Sequence, residues 1–216
     1  MSNYRPVSLT SQICKVVESV LRDALVQHFD KNELISESQH GFRKGYSCAS
    51  NLLVFLETVT AELNVDTIYF DLAKAFDKVP HQCPATDVKV EGTRHRRFSG
   101  KLDKVMVVRQ MAEYVWMVHF RAGQGLVWCS PGSVLGPVLF LIFINDLDNA
   151  IFSNVLKFAD DTKVYKVVDN QFDGAQLQSD LDSLGDWAVK WQMKFNVEKC
   201  KVVHYGKRSI DLGSSI

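Results

Sequence analysis

Val155-Leu156-Lys157-Phe158-Ala159-Asp160-Asp161-Thr162-Lys163-Val164-Tyr165 reads as two strand-like runs joined by a tight polar turn. A second acidic cluster lies upstream. The β-rich run Val65-Asp66-Thr67-Ile68-Tyr69-Phe70 leads into Asp71, with Phe76-Asp77 following. Carboxylates at strand ends, drawn together from distant sequence, suit Mg²⁺. That ion takes oxygen ligands and is usually held by one or two carboxylates plus substrate phosphates. A pair of such ions can stabilise both the attacking and the leaving oxygen of phosphoryl transfer. The same residues also fit a plainer hairpin with a solvated Asp-Asp turn, because Asp is a common turn residue.

Outward from these clusters, helix and strand signals alternate. Ile13, Val16, Val17, Val20, Leu21 and Leu25 recur at helical spacing after Thr10-Ser11, a candidate cap. Leu52, Leu53, Leu56, Val59 and Leu63 predict a second helix, opened by Ser47 or Ser50. Such stripes are expected to face the core. A strand spans 65–71, and a helix is expected from about Leu72 to just before Pro80. Leu135 to Ala150 predict an apolar helix starting near Pro137, a residue favoured in a first turn. Leu177, Leu181, Leu184, Trp187 and Trp191 trace a last amphipathic helix, and Val202-Val203-His204-Tyr205 a closing strand. The tail 207–216 is expected to be disordered. No internal repeat stands out.

Composition narrows the class. The chain has 216 residues, and 25 Lys and Arg balance 25 Asp and Glu. There is no global basic field to attract nucleic acid, so any nucleic-acid groove would be a local patch. Arg5, Arg43, Lys44, Lys74 and Lys78 are candidates for it. The five cysteines include no C-x-x-C pair, which argues for a reducing compartment and against a disulfide framework. Cys200 and His204 have half-site spacing for zinc but lack a second pair. The start has no apolar signal region. The longest apolar run, Val138–Ile144, is seven residues, against about 20 for a membrane span. The expected location is intracellular, in nucleus or cytoplasm, and not secreted.

Six blocks in order carry a family likeness: Asn3-Tyr4-Arg5-Pro6-Val7-Ser8-Leu9; Gln39-His40-Gly41-Phe42-Arg43-Lys44-Gly45; Asp71-Leu72-Ala73-Lys74-Ala75-Phe76-Asp77-Lys78-Val79-Pro80-His81; Gly132-Ser133-Val134-Leu135-Gly136-Pro137 with Phe143-Ile144-Asn145-Asp146-Leu147; Phe158-Ala159-Asp160-Asp161; and Trp191 to Asn196 with Lys199-Cys200. Together they resemble the reverse transcriptases of non-LTR (LINE- and jockey-like) retrotransposons, over about 1–83 and 132–206.

The resemblance implies an α+β fold: a right-hand fingers–palm fragment with a small antiparallel sheet packed on helices. The fingers-like segment would be 1–64 and the palm 65–206, without the thumb, connectors and endonuclease found around such domains. It implies RNA-directed DNA synthesis with two Mg²⁺ ions, for which Mn²⁺ can substitute. The partners would be an RNA template, a DNA primer and deoxynucleoside triphosphates, and no membrane. Asp71, Asp160 and Asp161 would be the metal carboxylates. Adjacent strand residues point to opposite faces, so Asp160 is expected to be the primary ligand of its pair. Phe76 would exclude a ribose 2′-OH, and Arg43 would bind the triphosphate through its bidentate guanidinium. Leu72 and Gly132 would border the nucleotide. Lys199 would protonate departing pyrophosphate, with Lys194 and Lys201 as nearby alternatives. Asp77 is expected to be structural.

From about 84 to 131 the family text stops. The family expects Ser-Gly-Val-Pro-Gln before Gly132; here stands Val127-Trp128-Cys129-Ser130-Pro131, with Pro131 in place of a glutamine that positions template and nucleotide. Written as GTC TGG TGT TCC CCA GGG and read one base later, the stretch yields Ser-Gly-Val-Pro-Gln. Leu102-Asp103-Lys104 and Arg94-His95-Arg96 shift the same way, to Trp-Ile-Lys or Trp-Ile-Asn and to Gly-Ile-Gly. Two compensating frame changes are expected to bracket this degenerate segment, leaving it irregular. The alternative function is therefore a decayed, inactive retroelement remnant with at most nucleic-acid binding. An RNA-dependent RNA polymerase shares the paired-Asp logic, but Phe76 and the Phe-Ala-Asp-Asp context argue against it.

Overall fold

A computed structural model describes residues 11–62, 64–79 and 132–206. The expectations for 84–131 and 207–216 lie outside the described residues. The chain divides into two compact units, Met1–Ser36 with Lys74–Asp146, and Glu37–Ala73 with Leu147–Ile216. The expected fingers-like segment 1–64 is thus shared between them.

In the first unit, helix α1 (Gln12–Asn32) opens where the Ser11 hydroxyl accepts the Cys14 N–H at 3.2 Å. It ends at Glu33, whose φ of 51° is left-handed and turns its N–H back onto the last carbonyls. Leu25 and Phe29 pack against Leu135 and Val138 at the start of a second helix. That helix, α3 (Gly136–Phe143), has Pro137 in its first turn. Its leading N–H groups are capped from two sides. Ser133 Oγ accepts from Leu135 and Gly136, and the buried Glu18 carboxylate accepts from Val134 at 2.6 Å. The helix stops well short of the expected Ala150. There the Asn145 amide accepts the Ser36 N–H and donates to the Leu34 carbonyl, tying down the chain just past the helix end.

The second unit is built on a four-stranded antiparallel sheet in the order β2-β3-β1-β4. The strands are β1 (Asn64–Phe70), β2 (Asn154–Phe158), β3 (Asp161–Val167) and β4 (Lys201–Gly206). Central β1 is buried on both faces from Val65 to Ile68, whereas β4 is exposed along most of its length. Helix α2 (Cys48–Ala61) begins with a reciprocal capping box between Ser47 and Ser50. Its Phe55 packs with Val65, Leu156 and Tyr165. Helix α4 (Gln171–Lys190) is capped by Asn170 and buries Leu177, Leu184 and Trp187. Its buried Asp180 accepts the N–H groups of Phe152 and Ser153, which lead into β2.

No helix forms at Leu72. Ala73 N–H donates to the Lys194 carbonyl and Lys74 adopts a φ of 54°, so only a 3₁₀ turn follows at Ala75–Asp77. The apolar stripes of α1 and α2 also differ from expectation. Ile13, Val16 and Val20 are 79%, 65% and 65% exposed, and Leu53 is 66% exposed. Leu25 of the expected α1 stripe is buried, and Leu21 and Val59 pack on the core; the rest of the buried faces runs through Glu18 and Phe29 on α1, and Asn51 and Phe55 on α2. No helix among the described residues is long and apolar enough to cross a membrane.

Candidate active site

Asp71 stands where β1 leaves the sheet. The last β1–β3 pair is Phe70 with Thr162, so Asp71 and the β2–β3 turn lie at the same end of the sheet. Beyond that point the backbone continues beside 194–196. Asn196 N–H donates to the Asp71 carbonyl at 2.8 Å, and Leu72 bridges Phe195. The Phe70 and Phe195 rings meet at 5.3 Å. A turn in which the Lys199 and Cys200 N–H groups both bond the Asn196 carbonyl returns Lys199 to this corner. Its Nζ reaches Asp71 Oδ2 at 3.3 Å and Oδ1 at 3.5 Å. The ammonium is 61% exposed, so the pair is screened and contributes little to stability. Lys194 and Lys201, the alternatives to Lys199, are exposed.

The Asp-Asp cluster sits on a two-residue hairpin. Phe158 pairs with Asp161, and the loop is Ala159-Asp160. Ala159 holds a φ of 56°, a left-handed conformation that costs an L-residue with a side chain about 1–2 kcal/mol. The Asp161 carboxyl lies above its ordinary range. Desolvation pushes it up first and the negative charge of Asp71 second, while Lys199 opposes them. The strand register brings Asp71 and Asp161 to the same end of the sheet. Among the described residues, no three His, Cys, Asp or Glu side chains converge into a ready-made metal cage. A few carboxylates facing outward at one sheet end suit Mg²⁺, which completes its shell with water and phosphate oxygens.

The turn rests on a loop that sequence reading had not connected to it. Residues Ser38–His40 lie along the edge of β2: Lys157 N–H donates to Ser38 O at 2.7 Å and His40 N–H to Lys157 O at 2.9 Å. Between them, buried Gln39 sends its side chain to Ala159, where Oε1 accepts the Ala159 N–H at 3.0 Å. The same oxygen accepts the Gly41 N–H at 2.7 Å. A Cβ on Gly41 would lie 2.3 Å from Ala159 N, so only glycine fits. The signal in the sequence was the family-like block Gln39 to Gly45, which did not show that Gln39 reaches Ala159. Arg43, on the same loop, bonds Gln39 O at 3.2 Å and lies 4.4 Å over the Tyr46 ring. The neighbouring His40 is held below its ordinary value by burial first, then by Arg43 and Lys163.

The other expected site residues are each held by their own surroundings. Leu72 is 3% exposed and puts its side chain in the core. Phe76 and Gly132 belong to the first unit. The Phe76 ring stacks on Phe140 at 4.3 Å. Gly132 has a φ of 102°, where glycine alone is unstrained, just before the Ser133 cap. His204 binds Asp66 at 2.7 Å across the β1–β4 pair.

A profile of the family "Reverse transcriptase (RNA-dependent DNA polymerase)" matches residues 1–213. The chain belongs to the reverse transcriptase family. Its relatives include the "Probable RNA-directed DNA polymerase from transposon X-element" of Drosophila melanogaster, 26% identical over 92% of this chain and 23% of that protein. The "RNA-directed DNA polymerase from mobile element jockey" of the same fly is 26% identical over 97% of this chain and 24% of that protein. This reverse transcriptase chain spans about a quarter of the length of those relatives. Among solved structures, an apo telomerase from Candida tropicalis, truncated from its C-terminal domain, superposes with a TM-score of 0.50 at 13% identity. That match covers 91% of this chain and 41% of that one, a likeness of fold alone and in keeping with the α+β architecture.

Proposed function

We propose that the Asp71–Asp161 end of the sheet is the nucleotidyl-transfer centre of an RNA-directed DNA polymerase. The observation that carries this reading is the strand register that brings Asp71 and Asp161, from distant sequence, to one end of the sheet, with the Lys199 ammonium beside Asp71. The sheet would be the palm, within 65–206, and 1–64 would supply the fingers. Asp71, Asp160 and Asp161 would hold two Mg²⁺ ions, or Mn²⁺ in their place. When bound, these neutralise charge on the attacking and leaving oxygens.

In the reaction, the primer 3′-hydroxyl gives its proton to solvent, its oxygen bonds to the α-phosphorus of a deoxynucleoside triphosphate, and the bond to pyrophosphate breaks. Lys199, positioned beside Asp71, gives a proton to the departing pyrophosphate. Arg43 binds the triphosphate oxygens, and the Phe76 ring, pinned by Phe140, excludes a ribose 2′-OH. Gly132 borders the nucleotide, and an RNA template pairs with the incoming base. The test is primer extension on an RNA template by a version with the 84–131 frame restored and downstream sequence added. The expected result is Mg²⁺-dependent DNA synthesis that Asp160→Asn abolishes. Synthesis undiminished in Asp160→Asn would overturn the assignment. A decayed remnant is the second reading, favoured by Pro131 standing where the family pattern has glutamine.

A further inference from the structure

We infer that Gln39 is the positioning residue of the Asp160-Asp161 turn: its buried amide holds the strained Ala159 backbone so that the carboxylates point at a divalent cation. This rests on the reading of that corner as a metal-dependent centre. Gln39 is 1% exposed, and its side chain is spent on backbone. Oε1 accepts the Ala159 N–H at 3.0 Å and the Gly41 N–H at 2.7 Å, and Nε2 lies 3.4 Å from the Ala159 carbonyl. The amide thus brackets both polar groups of the one residue in the turn with positive φ. The rest of the loop fixes the amide itself. Ser38–His40 is pinned along β2 on either side of it, and Gly41 lets the loop approach to where no Cβ fits. Nothing in folding requires so short a hairpin to carry an alanine at φ 56° when glycine would adopt that conformation freely. A turn held from outside is instead suited to aiming two adjacent side chains. Groups that orient metal ligands in this way commonly change metal affinity or activity about 10–100-fold when removed.

The test compares the wild-type chain with Gln39→Met, which keeps length and volume but has no amide. Mn²⁺ alone is titrated by electron paramagnetic resonance, at a temperature where circular dichroism shows each protein folded. The expected result is Mn²⁺ binding in the wild type that Asp71→Asn/Asp160→Asn removes, and affinity about 10–100-fold weaker in Gln39→Met. Adding Ala159→Gly to Gln39→Met, so that the turn no longer needs holding, should recover part of that loss. If Gln39→Met does not fold, Gln39→Asn, too short to reach Ala159, should show the same loss. A lower melting temperature with unchanged Mn²⁺ affinity would make Gln39 purely structural and overturn the inference. Wild-type binding no stronger than that of Asp71→Asn/Asp160→Asn would instead overturn the metal-centre reading, and the inference with it.

Discussion

At neutral pH the Asp161 carboxylate faces the charge of Asp71 and is partly desolvated, so its folded-state value lies above the ordinary 3.8. Between 3.8 and that raised value the folded chain binds more protons than the unfolded one, so stability falls as pH rises through the window. Asp161→Asn removes this penalty. It should raise the melting temperature at pH 7 slightly, since the residue is solvent-screened, and the gain should vanish as pH drops to about 3.8. A melting curve measured at several pH values checks this; a gain that persists at pH 3 would contradict it. Asp180 behaves in the opposite sense. Burial pushes its carboxyl up, but hydrogen bonds from Ser153, the Phe152 N–H and Gln176 outweigh that, and the net shift is downward. Its stabilisation is therefore full above the ordinary value and is lost as pH falls through the lower folded value. Much of this was hidden from sequence reading. Asp71, Asp160 and Asp161 were visible because strand runs flank them. Gln39 was not, since its partner Ala159 is 120 positions away.

Elements show the same division between local and distant causes. The hydroxyls of Ser11 and Ser47 marked the starts of α1 and α2 because caps act within one turn. Periodicity likewise found the helices, but not which stripe is buried. On α2 the inward face is set by Phe55 against the sheet and by the Asn51 amide, which donates to the Lys157 carbonyl at 3.3 Å. The two missing helical spans, after Leu72 and after Phe143, gave way to long-range partners at Lys194 and Leu34. Polar anchors thus fix elements to one another, and two of them can be measured. Asp180→Ala strips the acceptor from two backbone N–H groups ahead of β2, one of them buried, and should cost about 1–3 kcal/mol in urea unfolding. Asp148 pairs at 2.7 Å with Lys157, whose side chain is 0% exposed in the middle of β2. Asp148→Ala leaves that ammonium without its carboxylate and should cost about 3–5 kcal/mol. Replacing both, as Asp148→Leu/Lys157→Met, should cost far less; an equal loss in the double variant would mean that packing dominates there.

For the whole chain, activity is a question of alignment. Primer extension by the 216-residue protein should be at least about 100-fold slower than by the frame-restored form, since a displacement of about 1 Å in the reacting groups has that effect. Robust extension by the unmodified protein, lost in Asp160→Asn, would show that Pro131 is tolerated. Topology explains how carboxylates at one sheet end can be joined through a long intervening stretch of chain. The β2–β3 hairpin closes over two residues, a local event of about 1–10 μs. Strand β1 must then find β3 and β4 across long stretches of chain, pairing Val65 with both Val167 and Tyr205. Closing such a loop costs free energy only as the logarithm of its length, so doubling the intervening chain adds about 0.6 kcal/mol, and the main effect falls on folding rate. Loop closure alone therefore makes the sheet tolerant of the length of chain between its strands. In a lineage of copied genes, that middle can lengthen or shorten while the strands at either side still assemble, at a different rate, into the same surface.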